Sequence, residues 1–291
     1  MSADGGLAER LRRIVGTEVQ VEAPCGGSVD ELLAATTHMG IGAHPDDLEI
    51  MCTAVVERCR REEGLAFCGV VCTDGASSPR SGPYAEVTDP EMVALRREEQ
   101  LAAAQLGEYS TLVMLGCASA TVRDTTRTPL PEALACVIEC CSPREVLTHA
   151  PFDRHATHLA VAMCTIRAVR SLPRERRPAR LLGCEAWCSL DWVPSGARVA
   201  MPVYDERLAA GLLEVFDSQI SAGKRYDLAT VGRRRANATF SDPYSTDQHP
   251  QVTLAVDLTP TMDDDVDPVD WLLGVVDGFR SNVEEALAPW R

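Results

Sequence analysis

Two periods of apolar residues alternate along this chain. Residues 36–43, 65–72 and 111–115 are short apolar runs of strand length, and a shorter one at 146–147 leads into His149. Residues 49–63, 89–106, 131–141 and 159–169 carry apolar positions at helical spacing. The helix over 89–106 has its own start signal, with Thr88 and Asp89 as cap and Pro90 in the first turn. Strands alternating with helices predict an α/β fold with a mainly parallel sheet. Residues 1–36 read as an N-terminal extension, in which a helix over 7–15 is broken by Cys25-Gly-Gly-Ser28. Residues 37–291 read as one domain, elaborated on its C-terminal side from about 200. That second half yields a strand over 181–187 and a helix over 204–216 and is otherwise poorly patterned.

Composition narrows the class. A chain of 291 residues with 45% hydrophobic content can bury a sizeable core. No apolar run approaches the ~20 residues that span a bilayer. The first residues lack the apolar stretch of a signal peptide, so the expected location is cytoplasmic. A net charge of −15 disfavours nucleic acid and membrane partners and suits a cationic small molecule; a homo-oligomer is left open. Twelve cysteines form no pair of C-x-x-C motifs. Cys52, Cys59, Cys68, Cys72, Cys136 and Cys164 fall inside strand or helix patterns and read as small hydrophobes.

The turn after the first strand adds chemistry. Ile41-Gly-Ala-His-Pro-Asp-Asp-Leu-Glu49 sets an imidazole and three carboxylates at the C-terminal end of a strand, where open α/β sheets bind ligands. His44 and Asp47 are three apart and can reach one side of a turn that enters a helix. Their nitrogen and oxygen donors suit a divalent metal, most often zinc. Asp46 then points elsewhere, free to act as a general base toward water. The same residues also suit a polar helix start, with Asp46 or Asp47 as cap and Glu49 in the first turn. A third ligand is the test. Between Val146 and His158 a second strand-to-helix loop holds His149, Asp153, His155 and His158, three of the six histidines in the chain.

Together these segments resemble the LmbE-like, or PIG-L, N-acetylglucosaminyl deacetylase family. His44 to Glu49 fits its His-Pro-Asp-Asp-x-Glu signature, and His149, Asp153, His155 and His158 fit its second signature. The likeness continues through Thr73-Asp-Gly75 and Arg97 to Gly107, and weakly to Asp217-Ser-Gln219, roughly residues 37–240. The resemblance implies a Rossmann-like sheet with helices on both faces. It implies one Zn2+ per chain on His44, Asp47 and His158, ligands that iron(II) also fits. It makes Asp46 the general base and His155 the group that stabilises the oxyanion or protonates the amine, with Glu49 and Asp153 in support. One departure stands out: Thr157 replaces an Asp the family often has before the last ligand. A hydroxyl is a weaker partner for an imidazolium, so either Asp153 takes over or His155 has a lower pKa and a smaller role.

The implied reaction removes an N-acetyl group from an N-acetylglucosamine-containing small molecule, releasing acetate and a free amino sugar. An N-acetylated aminoglycoside intermediate of the paromamine type ranks first among specific substrates. A mycothiol- or bacillithiol-like sugar-inositol or sugar-malate thiol is the enzymatic alternative. A sugar- or nucleotide-binding Rossmann-like metalloprotein is the non-enzymatic one, although no Gly-x-Gly-x-x-Gly follows the first strand. Asp74, Arg80 and Tyr84 on the polar loop 73–84, with Arg97 or its neighbour Arg96 on the next helix, are the expected substrate contacts. Trp187 and Trp192 read as core, Arg233-Arg-Arg235 as solvated helix charge, and His249 as a loop residue outside the site.

Overall fold

The computed structural model describes residues 6–291. Its strands are β1 (Gln20–Glu22), β2 (His38–Gly42), β3 (Phe67–Thr73), β4 (Thr111–Cys117), β5 (Glu145–His149), β6 (Arg180–Cys184), β7 (Arg198–Val203) and β8 (Gln251–Asp257). The helices are α1 (Leu7–Val15), α2 (Val29–Ala34), α3 (Asp47–Met51), α4 (Thr53–Arg61), α5 (Asp89–Leu106), α6 (Ser119–Arg123), α7 (Leu130–Cys141), α8 (Ala156–Ser171), α9 (Glu206–Glu214), α10 (Asp217–Ile220), α11 (Tyr226–Thr239) and α12 (Pro268–Leu287). The strands form one sheet in the order β1-β4-β3-β2-β5-β6-β8-β7. From β4 to β6 the pairings are parallel, while β1, β7 and β8 pair antiparallel at the edges. The chain moves outward from β2 to β4, then returns to lay β5 against the other side of β2. The loops after β2 and β5 therefore flank the point where strand order reverses, the usual ligand crevice of such sheets.

The central strands are apolar throughout because both faces are covered. In β3, Cys68, Val70 and Cys72 enter one core with α1, α7 and α8. Phe67 and Val71 enter the other with α3, α4 and α9. Glycines in β2 set how closely α3 lies on the sheet. A Cβ on Gly40 would sit 2.9 Å from Cys52 Sγ, and one on Gly42 would sit 3.1 Å from Asp47 Cβ. The bare backbone thus lets the helix that carries Asp47 rest directly on the strand that precedes it.

The sequence pattern located β2 to β6, α5 and α7 well, and missed several features. The helix over 49–63 is two helices, parted at Cys52, whose φ of −106° and ψ of 2° are not helical. Arg234 from α11 takes the carbonyls of Glu49 and Ile50 at this break. Residues 6–36 are joined to the domain: β1 extends the sheet beside β4, and Leu7 and Leu11 lie in the core. β7, β8 and α12 were not recognised. All twelve cysteines are free. Among the described residues no helix is long and apolar enough to cross a membrane.

Leu11 is fully buried, so Leu11→Ala should cost about 2–5 kcal/mol, read as a lowered midpoint in urea unfolding. A loss below about 0.5 kcal/mol, the range of surface substitutions, would mean that this segment is a detachable appendage after all.

Candidate metal and active site

The loop from β2 into α3 and the loop from β5 into α8 meet above the sheet and bring three donor side chains together, His44 and His158 each facing a different oxygen of Asp47. His44 Nδ1 lies 3.2 Å from Asp47 Oδ2 and 3.3 Å from His158 Nε2, and His158 Nε2 lies 3.4 Å from Asp47 Oδ1. A tetrahedral ion with ligand bonds of ~2.0–2.1 Å has ligand-to-ligand edges of about 3.3–3.4 Å. The donor set and its spacing therefore fit a small divalent ion. The ring orientation fits as well. His158 Nδ1 is 3.2 Å from Asp153 Oδ2, which holds the proton on that nitrogen and leaves the Nε2 lone pair toward His44 and Asp47.

Two more histidines crowd the cluster. His155, with His44 and His158, forms a second group of donors close enough to share an ion, and Asp47, His149 and His158 form another. His149 is fully buried, and its Nε2 lies 3.0 Å from the Ala43 amide nitrogen and 3.2 Å from Asp47 Oδ2. His155 stands edge-on to His44, with ring centroids 4.9 Å apart, and its Nδ1 is buried without a partner. Asp153 reaches the His155 backbone amide and not its ring. Thr157 is fully buried and accepts from Arg123 at 3.3 Å.

The electrostatics divide the groups. Burial pushes the Asp47 carboxyl up, but His158 and His149 outweigh it and hold it well below the usual carboxylate range. Burial pulls His158 down, yet Asp47 and Asp153 raise it above the ordinary imidazole value. A site that favours a proton on His158 beside an ionised Asp47 favours a cation in the proton's place. Burial, then the neighbouring His158 and His44, lower His155 to about 4. Asp46 is driven the other way from Asp47: burial raises it to about 6 against the pull of Arg96.

Asp46 owes its position to α5. It has a left-handed backbone, φ 95°, a strained conformation for a non-glycine residue. Arg96 binds the Pro45 carbonyl and reaches Asp46 Oδ2 at 2.9 Å. Gln100 Oε1 accepts the Asp46 amide at 3.1 Å. Glu99 and Ser218 of α10 hold Arg96 from behind. Glu49 lies deeper, accepting from Gln100 and Tyr109, and burial lifts it to about 7.

The expected substrate contacts fall elsewhere. Asp74 caps the Ala76 amide. Arg80 binds the carbonyls of Ala76, Ser78 and Val87, and Asp89. Tyr84 donates to Asp217. All three build the loop, whose Gly75 and Ser77–Pro79 line the cleft instead. Arg97 is half exposed, with Glu22 its nearest acid at 3.9 Å, while Arg96, one residue earlier, is the one that enters. The buried positions Met92, Arg96, Glu99, Gln100 and Ala103 mark one face of α5, and that periodicity points to Arg96. Gln219, Arg123, Ser119, Trp187 and Tyr226 also line the cleft. Trp187 is thus a wall of the site, and Trp192 packs in the core against Phe152. His249 packs on Tyr204.

A family model described as GlcNAc-PI de-N-acetylase, PIG-L, matches residues 39–169. No curated protein matches the chain. Several solved structures share the fold. GalB, the 4-carboxy-2-hydroxymuconate hydratase from Pseudomonas putida, is 16% identical over 76% of this chain and 95% of its own, with a TM-score of 0.58. The zinc inhibited form of teicoplanin deacetylase is 15% identical over 79% and 100%, with a TM-score of 0.57. N,N'-diacetylchitobiose deacetylase from Pyrococcus horikoshii is 16% identical over 87% and 94%, with a TM-score of 0.54. At such identities the likeness carries the fold, and a hydratase and deacetylases share it, so activity has to be argued from the site. Residues 39–169, which hold the three donors together with Asp46, Asp153 and His155, are a PIG-L, LmbE-like family domain.

Proposed function

We propose that the chain is a metal-dependent N-deacetylase, with Zn2+ as the expected ion, acting on an N-acetylglucosamine-containing small molecule. The observation that carries this reading is the triangle of His44, Asp47 and His158 donors with a separate buried carboxylate, Asp46, beside it. A bound ion would supply Lewis acidity toward the amide carbonyl and toward water. Asp46, raised toward neutrality by burial, takes the proton from the attacking water. His155, kept neutral by its surroundings, donates a ring N–H to the oxygen that gains charge. As the carbon–nitrogen bond breaks, Asp46 returns its proton to the amine, leaving acetate and a free amino sugar. Within this class an N-acetylated aminoglycoside intermediate of the paromamine type is the first candidate, supported by the net charge of −15. Two solved neighbours of the same fold are named as a teicoplanin deacetylase and an N,N'-diacetylchitobiose deacetylase, which supports the deacetylase reading.

Acetate release from a panel of N-acetylglucosaminides, with metal-stripped enzyme and with Zn2+ restored, tests the reading. Activity should vanish on stripping and return with the ion; acetate formed equally well without metal would sink it. Asp46→Asn should retain the ion and lose turnover by roughly 10²–10⁴-fold; near-full activity would remove Asp46 from the base role. Asp153→Asn should weaken zinc affinity roughly 10- to 100-fold, measured by competition with a chelator. An unchanged affinity would show that Asp153 does not orient His158.

A further inference from the structure

The last helix carries an apolar face that its own domain does not cover. In α12, Leu272 and Val275 enter the core, and Phe279 packs edge-on against Trp192. From Phe279 to Arg291 every residue is exposed, so the second half of the helix overhangs the body. A free helical end of that length is marginal in water. Its last turn holds Glu284 and Glu285 and no basic residue, so the helix dipole does not steady it either.

Val269, Leu273, Val276, Val283 and Leu287 recur along α12 in steps of four and three residues, with Arg280 in the middle place and Trp290 in the closing turn. That spacing is the seam of a coiled coil. The apolar members are 40–85% exposed, which leaves roughly 600 Å² of apolar surface uncovered, the upper end of what a monomer shows. A helix that lies on a membrane carries Lys and Arg along its polar flank, whereas Asp270, Asp277 and Glu284 flank this seam. At its start the seam opens beside α8, where Val269 shares a groove with Met163, Ile166 and Arg167.

We propose that two copies of this chain pair through α12 as antiparallel helices. In the register that fits the seam, Val269 meets Leu287, Leu273 meets Val283 and Val276 meets Arg280 of the second copy. Each overhang then lies along the α8 groove of the other copy, while a parallel pair would leave both overhangs clear of either body. Two such faces together bury on the order of 1,200 Å², where stable interfaces begin. Arg280 is 3.2 Å from Asp277 of its own chain and comes between the acidic rows of the two copies. A single charged residue in an apolar seam fixes the register.

Sedimentation of the full chain at micromolar concentration should give twice the mass of one chain. Leu287→Glu changes an exposed side chain that the fold does not use, and it should raise the dimer Kd about 30-fold or more with the near-ultraviolet circular dichroism unchanged. Chains with Val269→Cys mixed with chains carrying Leu287→Cys should cross-link under copper phenanthroline, and neither alone should do so beyond the wild-type background. A monomer would leave the face to another protein and overturn the proposal. So would a dimer indifferent to Leu287→Glu, or Val269→Cys chains that cross-link to themselves. Binding of the wild type, but not of Leu287→Glu, to phosphatidylcholine–phosphatidylglycerol vesicles would overturn it in favour of a lipid surface.

Discussion

The site rests on one buried carboxylate. Asp47 has lost nearly all contact with water, and an ionised group in that position costs several kcal/mol unless partners compensate. Its partners come from two places in the chain. His44 lies on its own loop, and His149 and His158 arrive from the end of β5 and the start of α8. They meet because β5 returns to the side of β2. They meet closely because Gly40 and Gly42 let α3 lie against the strand. Sheet topology, strand glycines and helix placement thus all serve to surround this carboxylate with imidazoles, and a cation is the natural counter-charge for what they enclose.

The first half of this arrangement was legible in the sequence. Apolar runs of strand length alternating with helical spacing gave the parallel strands, and two loops rich in ligand-type residues marked the strand ends that face each other. What was illegible follows a physical pattern. Arg96, Glu99, Gln100, Ser218 and Arg234 are charged or polar residues inside the protein. From composition alone each looks like surface, because the partner that makes its burial tolerable is distant in the chain. Glu99 finds the Ser218 amide and hydroxyl, and Arg234 finds the end of α3. Arg96 and Arg97 both stand near the start of α5 as candidates for the pocket, and the helix periodicity that puts Arg96 with Met92, Glu99, Gln100 and Ala103 is the signal that separates them. The edge strands were missed for another reason. β7 and β8 run antiparallel beside the parallel core, outside the strand–helix alternation on which the reading relied.

The second half of the chain completes the site. Through α10 it fixes Glu99 and Arg96, and through α11 it grips the break between α3 and α4. The segment after β6 contributes Trp187, whose backbone amide donates to Asp153, the same carboxylate that faces His158. The wall of the cleft and the orientation of a metal-type ligand are therefore joined through one side chain. A change in the Trp187 loop would be felt at His158 without touching it, because Asp153 joins the wall of the cleft to the candidate metal cluster.

Asp46 and Asp47 are neighbours in sequence, yet they cannot do the same work. Two adjacent carboxylates in one polar loop would share an environment and titrate together. The two carboxylates instead meet different partners, and the charge of Asp47 is itself one of the causes that raise Asp46. Asp47 goes to three imidazoles and stays ionised; Asp46 goes to Arg96 under a low-dielectric roof and rises to about 6. Strain of that kind, of order 1–3 kcal/mol, persists only where the surroundings enforce it. Here Arg96 on the Pro45 carbonyl and Gln100 on the Asp46 amide provide the enforcement. A pair of identical groups with diverging pKa values is how one loop can hold both an anionic ligand and a proton acceptor poised near neutrality, and here the strained member of the pair, Asp46, is the one driven upward.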